Sequence, residues 1–381
     1  MSKELTQRVR VRRKSRKTRV VISGLGTALP GQAIAQSDAA EIAASLTGSD
    51  DATRRYMANM YERCGVHQRY SVVLQPVTDG DRVVQSFYYQ AAGAGDGGPS
   101  TADRMRQYEQ HAGEMAIMAS GRALRQAGAV ADEITHLVTV SCTGFSAPGV
   151  DYRLIEGLGL APQVQRTHVG FMGCHGVLNG LRVAKAIVEA DPRSVVLVCA
   201  VELCSLHHQY GFDPQEVIAN ALFADGAAAV ILRGSSDDSE ALPQLLQTAS
   251  RIVPGTASLM SWRIGDHGFT MTLSPQVPVV LHDHLRPWVT EWLSDGQLTL
   301  EDIRSWAIHP GGPKILDACE SALGLSPAQM APSRSVLAEF GNMSSPTVLF
   351  ILERLCQQGD VAPTVLMAFG PGLTLEAMLV G

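Results

Sequence analysis

Apolar runs of strand length alternate along the chain with segments whose apolar positions recur every three or four residues. Residues 194–201 and 227–232 are apolar almost throughout, which is typical of strands covered on both faces of a sheet. Residues 164–169 alternate apolar and polar side chains, as a half-buried strand does. Residues 177–188 carry apolar side chains at helical spacing. Strands alternating with helices predict an α/β protein.

The N-terminal region adds a strand, a helical stretch, a loop and a long helix. Residues 19–30 predict a strand that ends in a Gly/Pro turn, and residues 36–70 predict helix. Residues 91–100 combine Gly, Ser and Pro and predict a flexible loop. A long helix is expected over residues 103–128, ending at Gly128.

The C-terminal region repeats this plan. Residues 305–309 predict a strand, residues 310–313 a turn and residues 314–323 a helix. Two further strands are expected at residues 364–369 and 374–380. The repeat predicts two similar halves, each with a mixed sheet.

The length of the chain also favours two units, because 381 residues and 40.7 kDa are long for one core. Residues 233–243 are polar and rich in helix- and strand-breaking residues, so the boundary is expected there. We therefore predict an N-terminal half over residues 19–235 and a C-terminal half over residues 236–381.

Charge is distributed unevenly. The net charge is −6, yet nine of the 31 Lys and Arg residues fall within residues 1–20, beside one of the 37 acids. Residues 1–18 are expected to be a solvated, poorly ordered basic arm. Binding to nucleic acid or anionic lipid is the alternative for such an arm, and no nucleic-acid function is assigned to it.

The seven cysteines are scattered and include no CxxC pair, so neither a zinc site nor a disulfide scaffold is expected. The His207-His208 pair and residues 282–284 lack further ligands at suitable spacing, and no metal is predicted. No apolar run is long enough to span a bilayer, and no signal-peptide core is present. These features predict a cytoplasmic protein with reduced thiols.

One cysteine occupies a position suited to chemistry. Cys174 lies in a glycine-flanked turn between the strand at 164–169 and the helix that begins near Val177. Free N–H groups and the positive end of a helix favour a thiolate there. A buried structural cysteine beside a tight turn is the alternative interpretation.

A histidine and an asparagine complete a candidate set. His309 ends a strand before a glycine turn and a helix, the layout of the Cys174 segment, and Asn342 follows a glycine before another helix. A thiolate–imidazolium pair of Cys174 with His309 accepts acyl groups from thioesters, while His and Asn donate to an enolate oxygen. A turn histidine and a helix-capping asparagine are the alternatives.

At these residues the chain resembles the chalcone synthase-like, or type III, polyketide synthases of the thiolase superfamily, in their bacterial form. The resemblance runs from about residue 18 to the C-terminus. It rests on four stretches in the family's order, residues 170–176, 308–317, 341–345 and 369–372, supported by residues 149–152 and 221–229.

The resemblance implies a homodimer of five-layered αβαβα thiolase folds that uses no metal or organic cofactor. It implies that Cys174 carries the starter acyl group and then the growing chain. His309 and Asn342 would support decarboxylation of malonyl-CoA and stabilise the enolate, and His309 would keep Cys174 ionised.

The resemblance also implies which residues line the pocket. Phe223 matches the family's gatekeeper phenylalanine, and Met271 stands at the second gatekeeper position, where its flexible side chain departs from the family pattern. The other expected substrate-binding residues are Cys142, His207, Trp262, Ser344, Gly370, Pro371 and Gly372. Charge and position alone suggest Arg54, Arg55, Arg63 and Lys314 for the phosphates of coenzyme A, although exposed cations on a solvated surface are an equal alternative.

The expected reaction is condensation of an acyl-CoA starter with malonyl-CoA, followed by closure to a resorcinol, phloroglucinol or pyrone. Met271 and the small Cys142 favour a fatty acyl starter. A β-ketoacyl carrier-protein synthase that begins fatty acid synthesis is the alternative enzyme, since it also uses Cys, His and Asn. A catalytically silent binding subunit is an alternative from another class.

Overall fold

The structure is a computed structural model that describes residues 19–76, 83–93, 95–236, 242–359 and 363–381. The predicted basic arm, residues 1–18, lies outside the described residues. The strands are β1 (Arg19–Ala28), β2 (Ala33–Ala35), β3 (Gln68–Tyr70), β4 (Leu74–Pro76), β5 (Val83–Gln85), β6 (His136–Ser141), β7 (Gln165–Gly170), β8 (Val195–Leu203), β9 (Asp225–Ser235), β10 (Leu245–Ile252), β11 (Met260–Gly265), β12 (Gly268–Leu273), β13 (Ser305–Ile308), β14 (Thr364–Gly370) and β15 (Thr374–Val380). The helices are α1 (Gln36–Leu46), α2 (Asp51–Glu62), α3 (Thr101–Ala127), α4 (Val150–Leu158), α5 (Gly176–Ala190), α6 (Pro214–Leu222), α7 (Val277–Asp295), α8 (Pro313–Leu323), α9 (Pro327–Phe340) and α10 (Thr347–Gln358).

Two mixed sheets form the framework. The first has the strand order β1-β9-β8-β6-β7 and the second the order β10-β15-β14-β13. In each sheet, parallel pairing at one side gives way to antiparallel pairing at the other. The sequence-based prediction of mixed sheets is confirmed.

Helices α5 and α10 lie between the two sheets, and their apolar faces pack with side chains from both. Helices α3 and α4 cover the outer face of the first sheet, while α7 and α8 cover the outer face of the second. The side chains of β9 alternate accordingly, because Val230 faces the central helices and Ile231 faces α3. The five-layered αβαβα arrangement is therefore as expected.

The contact between α3 and β1 depends on glycine. A Cβ atom added at Gly26 would lie 2.5 Å from both the carbonyl oxygen of Ala119 and the backbone nitrogen of Ala123. Only a residue without a side chain lets the strand approach the helix backbone this closely. The glycines of this strand thus serve helix packing.

The prediction of continuous helix over residues 36–70 is wrong. Helix α1 ends before Gly48, whose φ is +63°, and α2 begins after Asp50, whose carboxylate accepts the Thr53 N–H at 2.8 Å. Gly65 has a φ of +73° and turns the chain into β3, which pairs with β2. Local turn chemistry therefore outweighed the helical pattern.

Candidate active site

Cys174 lies in the turn that joins β7 to α5, as the sequence predicts. Residues Gly173–His175 form a single 3-10 turn, and α5 follows directly. Gly173 has a φ of +74°, and a Cβ there would come within 2.6 Å of Cδ of Pro371. Glycine at this position lets the C-terminal loop close over the cysteine, whose side chain is buried.

His309 and Asn342 reach the same place from the C-terminal half. His309 follows β13, and its N–H donates to the carbonyl oxygen of Met367 at 2.8 Å. Asn342 follows α9, and its side-chain oxygen accepts the N–H of Ser344 at 2.8 Å. Cys174, His309 and Asn342 line one cavity of about 30 Å³, which we call the catalytic cavity.

The backbone of Asn342 is hydrogen-bonded to the segment that carries Phe223. Its N–H donates to the carbonyl oxygen of Leu222, and its carbonyl oxygen accepts the N–H of Ala224, both at 2.9 Å. Phe223, between these two residues, forms an isolated parallel bridge with Asn342. The side chains of Phe223 and Asn342 line the same cavity.

Burial controls the charge of Cys174 and His309. It raises the pKa of the Cys174 thiol to about 12, which outweighs the lowering effect of hydrogen bonds from Ser344 and Asn342. It lowers the pKa of His309 to about 3, with a smaller effect from nearby His175. Neither ring nitrogen of His309 has a hydrogen-bond partner in the structure. In the unliganded site burial therefore favours a neutral thiol and a neutral imidazole.

A buried carboxylate organises the segments around the cavity. Glu202, at the end of β8, is fully buried and accepts the N–H of Cys142 at 2.9 Å and the hydroxyl of Thr143 at 2.7 Å. Its second oxygen accepts the hydroxyl of Ser345 at 2.9 Å. Burial raises the pKa of Glu202 to about 7. One carboxylate thus joins the N-terminal half to the loop that carries Asn342.

The expected pocket residues gather in a second space of about 30 Å³, the inner cavity. Trp262 stands in its wall and donates its indole N–H to the carbonyl oxygen of Cys142 at 2.8 Å. Gly370 and Gly372 do not line either cavity; a Cβ at Gly370 would meet the ring of His175 at 2.4 Å. The expected residues that line the inner cavity with Cys174 are Cys142, Phe223, Trp262, Met271, Ser344 and Pro371.

His207 lies beyond this wall and is locked in one tautomer. Its Nε2–H donates to the carbonyl oxygen of Thr143 at 2.7 Å, and its Nδ1 accepts the N–H of Phe269 at 3.0 Å. The ring stacks on Phe269 at 4.2 Å and meets the edge of Trp262 at 5.3 Å. Burial lowers the pKa of His207 to about 3, so the ring is neutral and supports the structure through its two hydrogen bonds.

A larger apolar cavity of about 100 Å³ lies behind the same wall. It shares Cys204, Phe223, Trp262 and Met271 with the inner cavity. Its lining includes polar residues such as Arg69, Gln85 and Glu216, and five apolar residues on or beside α1, namely Ile34, Ala39, Ile42, Ala43 and Leu46.

The sequence interpretation missed Glu202, Cys204, Thr143 and Met260. Glu202 carried a usable signal, since it is a charged residue directly after an apolar strand, and Cys204 follows it by two positions. Met260 carried no such signal in the sequence, because only the pairing of β11 with β12 brings it to the cavity.

The suggested coenzyme A residues are exposed and line none of these cavities. Arg54 and Arg55 lie on α2, Arg63 caps its C-terminal end, and Lys314 is in the first turn of α8. A Cβ at Gly65 would lie 3.0 Å from Cγ of Pro313, so the segments that carry Arg63 and Lys314 are neighbours.

Among the described residues, no helix has the length and apolar character to cross a membrane. The described residues also contain no group of three or more His, Cys, Asp or Glu side chains that could hold a metal ion. All seven cysteines are free.

Replacing Glu202 with Gln is expected to change how stability depends on pH. The pKa of Glu202 rises from 4.5 in the unfolded chain to about 7, so the folded state binds more protons between these values. The free energy of unfolding of the wild type therefore falls as pH rises through this window, by up to about 3 kcal/mol. Urea denaturation of both proteins at about pH 5 and about pH 8 measures the difference.

In Glu202→Gln the decrease should be smaller by the share of Glu202, with a remainder from buried Asp225, whose pKa burial raises to about 6. Glu62→Gln, at an exposed carboxyl group, should keep the full decrease. Equal pH dependence in wild type and Glu202→Gln would contradict the interpretation.

Comparison with known proteins identifies the family. Residues 6–236 match the N-terminal domain of chalcone and stilbene synthases, and residues 244–381 match the C-terminal domain. The chain is 36% identical to the alpha-pyrone synthesis polyketide synthase-like protein Pks18 of Mycobacterium tuberculosis, over 95% of this chain and 91% of the relative. It is 34% identical to 1,3,6,8-tetrahydroxynaphthalene synthase of Streptomyces peucetius, over 94% and 92%.

A solved structure agrees with these sequence matches. The polyketide synthase PKS-I of the brown alga Ectocarpus siliculosus superposes with a TM-score of 0.88 at 30% identity, covering 97% of this chain and 99% of the algal chain. The family models thus match chalcone and stilbene synthases rather than the carrier-protein synthases considered as the alternative. The chain belongs to the chalcone and stilbene synthase family and is a type III polyketide synthase, an acyltransferase of the decarboxylating condensing type.

Proposed function

We propose that this enzyme condenses a fatty acyl-CoA starter with malonyl-CoA and closes the product to a resorcinol, phloroglucinol or pyrone. The observation that carries the proposal is the convergence of Cys174, His309 and Asn342 on one cavity. The 36% identity to a relative described as an alpha-pyrone synthesis enzyme supports a pyrone among these products.

Loading of the starter requires a thiolate in a buried site. Burial disfavours a lone charge on Cys174 or on His309, so the thiol proton passes to His309 as the sulfur attacks the thioester carbonyl. Coenzyme A leaves as a thiolate and takes that proton back from His309. The products are a Cys174 thioester and free coenzyme A, and no net charge remains in the site.

Extension uses donors that face the cavity. The oxygen of the Asn342 amide accepts the Ser344 N–H, which turns its NH₂ group toward Cys174 as a donor. An N–H of His309 is a second donor, since neither ring nitrogen has a partner. Loss of CO₂ from malonyl-CoA gives an enolate whose oxygen these donors stabilise, and its carbon attacks the Cys174 thioester. The Cys174 thiolate leaves as the new carbon–carbon bond forms.

The apolar cavity supports a fatty acyl starter. It adjoins the inner cavity along Trp262 and Met271, and part of its lining is aliphatic, from Ile34, Ile42 and Leu46. An alkyl chain in contact with these side chains would gain burial of apolar surface. The thioether of Met271 adapts its shape to a flexible chain.

Coenzyme A is assigned to the surface near Arg63 and Lys314. These two cations are exposed on neighbouring segments, and neither has a carboxylate partner within the described part of the chain. Arg54 and Arg55 lie further along α2 and extend the positive surface. Phosphate groups are stabilised by such clusters.

The free state of all seven cysteines supports a reducing, cytoplasmic location.

The first experiment is mass spectrometry of products formed from malonyl-CoA and a panel of fatty and aromatic acyl-CoA starters. Fatty starters should give polyketide or pyrone products, and Cys174→Ala should lower kcat/KM by ~10⁴-fold because the acyl carrier is lost. Turnover of aromatic starters equal to or better than that of fatty starters would overturn the starter assignment. A requirement for malonyl carrier protein would favour the carrier-protein synthase reaction instead.

The pairing of Cys174 with His309 is tested by alkylation with iodoacetamide across a pH series. We expect the wild-type thiol to react near neutral pH, because its proton can move to His309. In His309→Gln no imidazole can accept the proton of the buried Cys174 thiol, and its reaction should slow roughly hundredfold at neutral pH. Peptide mapping separates Cys174 from Cys142 and Cys204. Equal alkylation rates in both proteins would refute the pair.

We also propose that two copies associate through the edge of the first sheet. Within the described residues, strand β7 pairs with β6 alone, and most of its side chains are exposed. Exposed Phe145, Phe171 and Met172 lie beside it. An exposed strand edge beside apolar side chains favours pairing with a second copy around a two-fold axis.

Sedimentation velocity tests this association. The wild type should sediment as a dimer, and Phe145→Glu should shift it toward monomer because a charge would be buried in the interface. Ile252→Glu, on the exposed face of β10, is the matched control and should remain dimeric. A monomeric wild type, or a dimeric Phe145→Glu protein, would rule out this interface.

A further inference from the structure

Arg104 is a fully buried cation whose partners are neutral. The side chain is 0% exposed. Within the described residues it pairs with no carboxylate; Nε donates to the carbonyl oxygen of Pro99 at 2.9 Å and Nη2 to that of Gly97 at 3.2 Å. The ring of Tyr88 lies 5.3 Å from the guanidinium carbon. Burying a charge in this way is costly, and the cost is met only when every donor has an acceptor.

The remaining donors hold the segment that carries His207. Nη1 donates to the carbonyl oxygens of Leu206 and His208, both at 2.8 Å, so Arg104 is hydrogen-bonded to the backbone on either side of His207. It also touches the β11–β12 hairpin, since a Cβ at Gly268 would lie 3.0 Å from Cδ of Arg104.

The first turn of α3 secures the same hairpin. The hydroxyl of Thr101 donates to the carbonyl oxygen of Gly265 and accepts the N–H of Gly268 at 2.8 Å. The Thr101 N–H donates to the carbonyl oxygen of Asp266 at 2.8 Å. Arg104 and Thr101, three residues apart on one helix, therefore fix two segments against each other.

Parts of those two segments separate the inner cavity from the apolar cavity, since Cys204 and Trp262 line both, while His207 and Phe269 line the apolar cavity. His207 comes from the segment after β8, while Trp262 and Phe269 come from the hairpin. The hydrogen bond from Phe269 N–H to His207 and the stacking of the two rings join the segments. An acyl chain on Cys174 has to pass this wall to enter the apolar cavity, so the position of the wall affects how long a chain fits.

We propose that Arg104 is a positioning residue that holds this wall and thereby sets the length of acyl chain that the enzyme prefers, with Thr101 as its partner. The inference rests on the proposed fatty acyl starter. Arginine suits this task because its planar fork reaches several carbonyl groups in fixed directions, whereas a lysine ammonium satisfies fewer of them.

The test compares Arg104→Lys and Thr101→Val with wild type, using Thr101→Ser as the matched control that keeps the hydroxyl. For each protein, kcat/KM is measured with saturated acyl-CoA starters of increasing length. We expect Arg104→Lys and Thr101→Val to change the ratio of kcat/KM between long and short starters by about tenfold, the discrimination typical of one or two methylene groups. Thr101→Ser should keep the wild-type ratio.

Two further readouts separate positioning from general destabilisation. Thermal unfolding reports loss of stability, and the rate of Cys174 alkylation reports the state of the catalytic cavity, which Arg104 does not line. An altered ratio with near-wild-type alkylation supports the proposal. Equal loss with every starter, or an unchanged ratio in both variants, overturns it.

Failure of the proposed starter class has a different signature. It shows as a wild-type enzyme that turns over no fatty acyl-CoA. The ratio of kcat/KM between long and short starters is then measured with aromatic acyl-CoA starters of graded length. A ratio that changes in Arg104→Lys and Thr101→Val supports the role of Arg104, and an unchanged ratio overturns it.

Discussion

The arrangement of the site depends on one buried carboxylate. Glu202 collects donors from the segment after β6 and from the loop after Asn342, so the two halves of the chain meet on its two oxygens. Each of these donors would otherwise be a buried polar group without a partner, which costs more than the hydrogen bond contributes. The nucleophile segment is enclosed between the parts that Glu202 connects. This link acts together with the core that both sheets share with α5 and α10, and it helps to fix Cys174 relative to Asn342.

Burial governs the chemistry as much as the choice of residues does. A cysteine and a histidine that are both shielded from water resist carrying charge singly, but a proton moving from one to the other leaves the pair neutral overall. In the unliganded site the thiol and the imidazole are therefore both neutral. Charge arises when substrate arrives, in a space where few water molecules compete for it.

Much of the site could be predicted because its residues lie at the ends of elements. Cys174 and His309 each follow a strand and precede a glycine turn, and that local pattern is visible in the sequence. Glu202 and Met260 depend on which strands are neighbours and in what register, and spacing along the chain does not encode this. The hydrogen bonds of His207 to Thr143 and Phe269 join residues about 60 positions apart, so the sequence pattern could not predict that His207 links these segments. The break of residues 36–70 into two helices and a strand was encoded locally, in Gly48, Asp50 and Gly65, but the helical pattern masked it.

The bridge between Phe223 and Asn342 joins the backbones of two residues that line the same cavity. Because the Phe223 segment and Asn342 share two backbone hydrogen bonds, the main chain at Phe223 cannot shift without moving Asn342. Exchanging one side chain on this segment leaves those hydrogen bonds in place, whereas an inserted or deleted residue would displace Asn342.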